Sequence, residues 1–404
     1  MTIVLAALLL LATAATLGTG LASAARRVAP RFGLVDRPGG RKAHREPTPL
    51  GGGVAIWLTM AIMLGLGALV ARSGMGWLPG PLAVHAAGLR SRAGEMGWIF
   101  GLATLVMLMG LADDRVGLGW KLRLGVQVAL AAILVATGVR VTLFWPLDSP
   151  LVAGALTVLW LVGLTNAFNF LDNMDGLAGG VGLIAAALFA AAQAEVQGLF
   201  VPAVLIILVG ALAGFLVQNR HPARLFMGDA GSNFLGFFLG SLTVVGTFTR
   251  PQQGDSPFAV LTPLLVMAVP LYDTTSVILI RLREGRSPFQ ADRSHFSHRL
   301  VDRGLTPPRA VRTIYLVTLA GGLGVLLLPH LGPAGAGVVV AQTCCLLGVV
   351  AALEWSPNRS ERRDGEASTP SDPRPGGGPA PAGDARGGPG LGGRPGDAGG
   401  PDRG

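Results

Sequence analysis

Asn166-Ala-Phe-Asn-Phe-Leu-Asp-Asn-Met-Asp-Gly-Leu177 joins two apolar runs, one over 151–164 and one that begins at its last residue. Its polar side chains are Asn166, Asn169, Asp172, Asn173 and Asp175. If the first run continues as a helix, the three asparagines fall on one stripe with Asp172 beside it. So many polar groups at the end of an apolar helix are costly unless they bind a cation, a ligand or each other. The stretch therefore predicts a site, and a solvated turn with Asp175 capping the next helix is the simpler alternative.

The composition is that of a membrane protein. The chain has 404 residues, of which 50% are hydrophobic and only 14% are charged, against about 25% charged residues in soluble domains. The apolar residues come in runs of about 20, the length of a helix that spans a bilayer. We therefore predict an all-α polytopic membrane protein.

Eleven apolar runs are candidate membrane-spanning helices. The first, Met1 to Ala25, could be a cleaved signal peptide, but its positive charges follow it from Arg26 on, which favours an uncleaved helix with its N-terminus outside. The others are 51–70, 98–112, 122–139, 151–166, 177–192, 200–217, 234–247, 259–280, 314–328 and 334–353.

The distribution of basic residues gives this topology an orientation. The loops after odd-numbered runs, up to the ninth, hold twenty Arg and Lys residues, and the opposite loops hold five. Such an excess marks the cytoplasmic side of the membrane. The net charge of +9 thus reports orientation and phosphate binding rather than a nucleic-acid partner.

The composition changes at residue 356. The segment 356–404 is rich in Gly, Pro, Arg and Asp and has one large aliphatic residue, Leu391. It cannot bury enough apolar surface to fold. We therefore predict a membrane domain over 1–355 and a disordered cytoplasmic tail over 356–404, with catalytic loops on the same side.

Further polar clusters fall in the predicted cytoplasmic loops. Residues 36–53 combine Lys42 and His44 with the three glycines at 51–53, which allow close approach to a ligand, although a plain basic loop is the simpler interpretation. Asp113 and Asp114 end the third run, and such adjacent carboxylates favour a nearby cation. Asp229 follows Gly228 in a turn at the start of the eighth run.

The last cluster lies between the ninth and tenth runs. His295 and His298 would share one face if their segment is helical, and each imidazole could donate to phosphate; a transition-metal site is the alternative. Asp273 lies inside the ninth run, where an acid is a candidate functional residue, with a paired packing residue as the alternative.

The acids without cysteine ligands suit Mg²⁺, with Mn²⁺ as the alternative, and Mg²⁺ in proteins binds a few carboxylates plus substrate phosphate. The basic loops would hold the anionic groups. Together these features indicate phosphoryl transfer at the membrane surface.

Six motifs in this order resemble the polyprenyl-phosphate N-acetylhexosamine-1-phosphate transferases, from about Asp36 to Arg312. They are Asp36-x-Pro with Arg41-Lys42-x-His44, Asp113-Asp114, Asn166-x-x-Asn169-x-x-Asp172-x-x-Asp175, Gly228-Asp-x-Gly-Ser, Pro270-Leu-Tyr-Asp273-Thr and Asp292-Arg-x-His295-x-x-His298-Arg299. The last two are more similar to the N-acetylglucosamine branch. Asn173 and Ser297 depart from the family pattern, which usually has glycine and often histidine there, and both could change the sugar pocket.

The resemblance implies transfer of N-acetylhexosamine 1-phosphate, with N-acetylglucosamine favoured, from a UDP-sugar to undecaprenyl phosphate. It also implies a Mg²⁺ ion held by Asp229 and Asp172. The implied catalytic residues are Asp113, Asp114, Asp172, Asp175 and Asp229. The implied substrate-binding residues are Lys42, His44, Asn166, Asn169, Asp273, His295, His298 and Arg299.

Two other classes of protein remain open at this point. A transporter or flippase for a polyprenyl-linked or nucleotide sugar also needs intramembrane polar residues, but its site would lie near the bilayer midplane, often between repeated halves. A divalent-cation channel would use the acids and leave the Arg and His loops unexplained. The sequence leaves open the sugar, the pathway, direct attack versus a covalent intermediate, and the oligomeric state, a homodimer included.

Overall fold

The computed structural model describes residues 1–37, 47–72, 86–141, 149–194, 198–246, 256–288 and 294–355, with the backbone alone at 86–90 and 355. Lys42, His44 and the predicted tail at 356–404 lie outside these residues, so their roles stay predictions. What is described is almost entirely helical, which confirms the predicted all-α class.

Thirteen α-helices lie within the described residues. They are α1 Thr2–Val28, α2 Gly52–Arg72, α3 Ala86–Val116, α4 Trp120–Ala136, α5 Pro150–Leu171, α6 Leu177–Ala194, α7 Phe200–Asn219, α8 Gly228–Val245, α9 Thr262–Val266, α10 Ala268–Arg283, α11 Phe296–Asp302, α12 Pro307–Leu323 and α13 Pro333–Trp355. Short 3-10 helices span Ala29–Phe32, Pro257–Leu261 and Gly324–His330.

Each of the eleven predicted runs is helical, but fewer are long and apolar enough to cross a bilayer. Eight of the described helices meet that requirement, and a ninth forms if Pro257–Val266 and Ala268–Arg283 count as one span bent by 59°. The two remaining runs became α4 and α8, of 17 and 18 residues. Both begin with polar residues, such as Lys121 and Arg123 in α4, which shortens their apolar part.

The helix α8 is the centre of the bundle. It is buried from Ala230 to Thr243 and packs against α2, α3, α5 and α6. Phe234 and Phe238 stack with ring centroids 5.3 Å apart, and Phe100 of α3 meets both rings edge-on. An apolar surface this enclosed by protein explains why α8 does not need the hydropathy of a lipid-facing helix.

Two glycines let neighbouring helices reach the backbone of α8. A Cβ at Gly53 of α2 would lie 2.2 Å from the backbone nitrogen of Gly231. A Cβ at Gly110 of α3 would lie 2.3 Å from the carbonyl oxygen of Asp229. Because backbone atoms cannot rotate away, only glycine permits these two contacts. The first turns of α8 are therefore fixed from two sides.

A small hairpin fixes the segment that precedes α2. The strand β1, Val35–Asp36, pairs antiparallel with β2, Thr48–Pro49. The Phe226 N–H donates to the Pro49 carbonyl at 2.9 Å, and the Gly52 N–H donates to the Phe226 carbonyl at 2.9 Å. The two strands that flank the predicted basic loop are thus anchored beside the start of α8.

Candidate functional site

The N-terminus of α8 binds two carboxylates from other helices. Asp114, near the end of α3, accepts the N–H of Asp229 at 2.8 Å with one oxygen and that of Ala230 at 3.0 Å with the other. Asp172, directly after α5, accepts the N–H of Gly228. These N–H groups have no partner within the helix, and its dipole favours negative charge at this end. Three predicted site regions therefore meet at one helix end.

Arg123 of α4 bridges two more of the predicted acids. Its guanidinium lies 2.5 Å from an Asp113 oxygen and 3.1 Å from an Asp229 oxygen. The two carboxyl groups are also within hydrogen-bond reach of each other. Because two carboxylates at this distance repel, a positive charge between them lowers the energy of the pair. Asp113 also accepts the Leu118 N–H at 2.5 Å.

Both asparagines of α5 support α8 from the other side. Asn169 donates to Asp229 Oδ1 at 2.8 Å and to Ser232 Oγ at 3.1 Å. Asn166 donates to Gln127 Oε1 at 2.6 Å. Gln127 donates to Asn233 Oδ1 at 3.2 Å, and Asn233 donates to the Asp229 carbonyl at 2.7 Å. The predicted residue Asn169 thus touches the acid directly, and Asn166 reaches it through a buried network.

The turn between α5 and α6 differs from the helical stripe that the sequence suggested. Because α5 ends at Leu171, Asn173 leaves the line of Asn166 and Asn169, and that part of the prediction was wrong. Asp175 accepts a hydrogen bond from the Ala223 N–H at 3.1 Å and lies 2.8 Å from His221 Nδ1. Asp175 therefore ties this turn to the segment before α8.

The histidine segment packs on the other side of the turn. His295 precedes α11 and is not part of it, so the expected shared helical face of His295 and His298 is not formed. Asp273 is fully buried; its Oδ2 lies 3.0 Å from His295 Nδ1, and its Oδ1 accepts the Phe296 N–H at 2.6 Å. Asp273 thus contacts the histidine segment, and His298 lies two residues beyond Phe296 on α11.

Arg299 binds residues of α10 and α13. Its Nε donates to Glu354 Oε2 at 3.0 Å, and another nitrogen donates to Ser276 Oγ at 2.9 Å. The site thus has an acidic part around α8 and a histidine part around α11, joined by the turn after α5.

A comparison with known proteins places this arrangement in a family. Residues 96–247, which include Asp113, Asp114, Asp172, Asp175 and Asp229, match the model described as glycosyl transferase family 4. A probable undecaprenyl-phosphate N-acetylglucosaminyl 1-phosphate transferase of Bacillus subtilis is 30% identical over 298 residues, which are 72% of this chain and 76% of the relative. The decaprenyl-phosphate N-acetylglucosaminephosphotransferase of Mycolicibacterium smegmatis is 36% identical over 316 residues, 72% of this chain and 74% of the relative.

The chain belongs to glycosyl transferase family 4. A further relative, the undecaprenyl-phosphate alpha-N-acetylglucosaminyl 1-phosphate transferase of Escherichia coli K12, is 29% identical over 312 residues, 74% of this chain and 77% of the relative. The family resemblance read from the six motifs is thereby confirmed, and so is the polytopic membrane fold.

The donor atoms at this family 4 site suit a hard cation. Within the described part of the chain, no group of three or more His, Cys, Asp or Glu side chains has the geometry of a formed metal site. The carboxylate oxygens around Asp229 are nevertheless of the kind that Mg²⁺ prefers. Arg123 lies between the carboxylates of Asp113 and Asp229, where a positive charge is favourable. Burial and the nearby carboxylates of Asp114 and Asp175 raise the pKa of Asp172 to about 7. These residues fit a divalent cation.

Several residues of this arrangement were missed in the sequence, among them His221, which pairs with Asp175. Arg123 was counted only as a loop charge, and Glu354 lies at the end of an apolar run far from any motif. Gln127 is a buried amide inside the predicted span 122–139, and Asn233 is a buried amide directly before the span 234–247. A polar side chain within an apolar run is itself a signal of function or pairing, and this signal would have found Gln127.

Proposed function

We propose that this protein transfers N-acetylglucosamine 1-phosphate from UDP-N-acetylglucosamine to undecaprenyl phosphate and releases UMP. The relatives' names support the sugar phosphate and the polyprenyl acceptor. The observation that carries the proposal is the meeting of Asp114 and Asp172 at the start of α8, beside Asp229 and Arg123. Phosphoryl transfer needs charge neutralisation and positioning more than a dedicated nucleophile.

In this reaction an oxygen of the lipid phosphate bonds to the phosphorus that carries the sugar, and the bond from that phosphorus to UMP breaks. Asp229 and Asp172 would hold Mg²⁺, which would polarise the diphosphate. Asp114, with both oxygens bound to backbone N–H groups, holds α8 in place. Asp113 orients Arg123, whose side chain is 30% exposed and can turn toward a diphosphate.

The remaining predicted residues receive roles consistent with their positions. Asn169 orients Asp229, and Asp175 orients His221, whose side chain is 48% exposed. Asp273 fixes His295. We assign Lys42, His44 and His298 to the phosphates of the two substrates. The prenyl chain would lie in the bilayer while its phosphate reaches the site from the cytoplasmic side of the bacterial inner membrane.

The position of the polar groups favours a transferase over a transporter. Asp114 and Asp172 lie at the ends of α3 and α5, and Asp229 lies at the start of α8. The site is therefore at one end of the bundle, whereas transporters bind their cargo near the bilayer midplane. An enzyme whose donor is water-soluble and whose acceptor is a lipid needs such a position.

Purified protein should release UMP when it is given Mg²⁺, undecaprenyl phosphate and UDP-N-acetylglucosamine. A panel of UDP-sugars, each followed by UMP release and by extraction of the lipid product, measures donor choice. Chelation with EDTA should reduce the rate at least 100-fold, since the developing charge loses its main neutralising group, and added Mg²⁺ should restore it. Folded protein that releases no UMP with any member of the panel would contradict the proposed function.

A further inference from the structure

Three different parts of the chain hold the short helix α11. Asp273 of α10 binds the residues at its start, as described above. Ser297 donates to Asn173 Oδ1, in the turn between α5 and α6, at 2.5 Å. Arg299 pairs with Glu354, near the end of α13. Within five consecutive residues, 295 to 299, the chain is therefore tied to three separate elements.

The contact between α11 and α13 was not predicted by any motif. Glu354 Oε2 accepts from Arg299 Nε at 3.0 Å and from the Tyr272 hydroxyl at 2.8 Å. Its side chain is 8% exposed, and that of Arg299 is 16% exposed. The Glu354 carbonyl also accepts a hydrogen bond from Arg303, one residue after α11. Glu354 of α13 thus binds Tyr272 of α10, Arg299 in the middle of α11 and Arg303 directly after α11.

The energetics of this contact favour a role in geometry over a role in stability. Glu354 Oε1 is buried and has no hydrogen-bond partner among the described residues, and a buried oxygen without a partner is unfavourable. A buried ion pair seldom stabilises more than apolar side chains of similar volume would, but the loss of one partner leaves an uncompensated charge. Such a pair fixes the position of two elements because neither partner can leave alone.

We propose that Glu354 is a positioning residue of this enzyme. By pairing with Arg299 it holds α11 against α10, and it thereby sets where His295 and His298 stand relative to Asp229. It contacts no reacting group itself. The inference rests on the proposed function, because its kinetic test needs the transferase reaction, but its structural test does not.

The variant Glu354→Ala should lower kcat at least tenfold and change the KM for each substrate less than threefold. The reason is that displacement of a catalytic segment by about 1 Å, without loss of the binding groups, can reduce the rate about 100-fold. Glu354→Gln keeps the volume and one acceptor oxygen, and it should lose at least fivefold in kcat. If either variant is folded and within twofold of the parent, the proposal is wrong. If Glu354→Ala does not fold, Glu354→Gln decides.

The matched control is Thr343→Val. Thr343 is buried in the same helix and donates to the Gly321 carbonyl of α12 at 3.1 Å. It lies eleven residues before Glu354, a rise of about 16 Å along the helix. Its removal also breaks a contact of α13 but should leave kcat within twofold. A loss equal to that of Glu354→Ala would mean that any weakening of α13 has this effect, and would overturn the proposal.

A double-mutant cycle tests whether Glu354 acts through Arg299. If it does, Glu354→Ala combined with Arg299→Ala should be within twofold of Arg299→Ala alone. If the two losses multiply, Glu354 acts independently and the inference fails. This readout distinguishes a positioning role from a general loss of stability, which would add to any other defect.

Truncation gives a second prediction with a built-in control. Deletion of 358–404 should leave specific activity within twofold, because it spares Glu354. Deletion of 353–404 removes only five more residues, Glu354 among them, and should reduce kcat at least tenfold. A severe loss from the shorter deletion would contradict the view of the tail as dispensable for chemistry. Equal activity of the two forms would contradict the role of Glu354.

Amide hydrogen exchange tests the same contact without turnover. In Glu354→Ala the amides of residues 296–302 should exchange at least tenfold faster than in the parent, and in Thr343→Val they should not change. Unchanged exchange of these amides in Glu354→Ala would overturn the inference, whatever the kcat of the variant. If the parent turns over no UDP-sugar, the proposed function fails, and the exchange experiment still decides whether Glu354 holds α11.

Discussion

Replacement of Asp229 with asparagine should lower kcat about 1000-fold, since loss of a group that neutralises transition-state charge has effects of this size. The amide has nearly the same volume, so α8 should keep its contacts. It removes the negative charge, however, and its Nδ2 cannot accept from Asn169 or pair with Arg123. The measurement is the initial rate of UMP release over a Mg²⁺ titration, with folding monitored by size-exclusion chromatography and thermal unfolding.

The control for Asp229→Asn is Ser241→Ala, further along α8, where the hydroxyl donates only to the Phe237 carbonyl of its own helix. This variant should be within twofold of the parent. Activity of Asp229→Asn close to that of the parent would remove Asp229 from the metal site. The same loss in Ser241→Ala would mean that α8 tolerates no substitution, and that the loss in Asp229→Asn says nothing about charge.

The second large effect is expected at Gly110, a residue that has no ionisable side chain. An alanine Cβ there would lie 2.3 Å from the Asp229 carbonyl oxygen and 2.7 Å from the Ala230 nitrogen. Either α3 or α8 must move, and overpacking of this kind costs about 1–3 kcal/mol. The shift would also stretch the hydrogen bonds from Asp229 and Ala230 to Asp114. We expect a lower thermal unfolding midpoint in detergent together with at least a tenfold loss of kcat.

Gly101→Ala is the matched control for Gly110→Ala because it makes the same change in the same helix. At Gly101 no heavy atom lies within 4 Å of the added Cβ. Alanine is also the better helix former by up to about 1 kcal/mol. Gly101→Ala should therefore keep both the unfolding midpoint and the activity. If the two variants behave alike, the close contact between α3 and α8 does not control the site.

The sequence predicted those features that depend on local composition. Runs of apolar residues correctly located the long helices. The acids at the ends of these runs were predicted as site residues, and Asp114 and Asp172 both lie at the start of α8 beside Asp229. The pattern failed where a helix ends: nothing in it showed that α5 stops at Leu171 or that His295 precedes α11. Helix ends are set by tertiary contacts as much as by propensity, so this limit is physical.

The residues that sequence reasoning missed depend on partners distant in the chain. Glu354 meets Arg299 across 55 residues, and Arg123 meets Asp229 across 106. Asp273 was predicted to be functional because it is an acid at membrane depth, and the family resemblance implied that it binds substrate. Its burial against His295 and the Phe296 N–H shows that the cost of such an acid can also be met by pairing with a functional neighbour. Only the three-dimensional arrangement shows whether such an acid binds substrate or pairs with a neighbouring residue.

The central position of α8 also bears on how the protein is made. The four helices that pack closely on it, α2, α3, α5 and α6, all precede it in the chain. When α8 is synthesised, the helices that it packs against have already been synthesised. Helix association in a bilayer depends on close packing and polar contacts. A segment too polar to partition into lipid by itself can therefore enter the membrane by packing against helices that were synthesised before it.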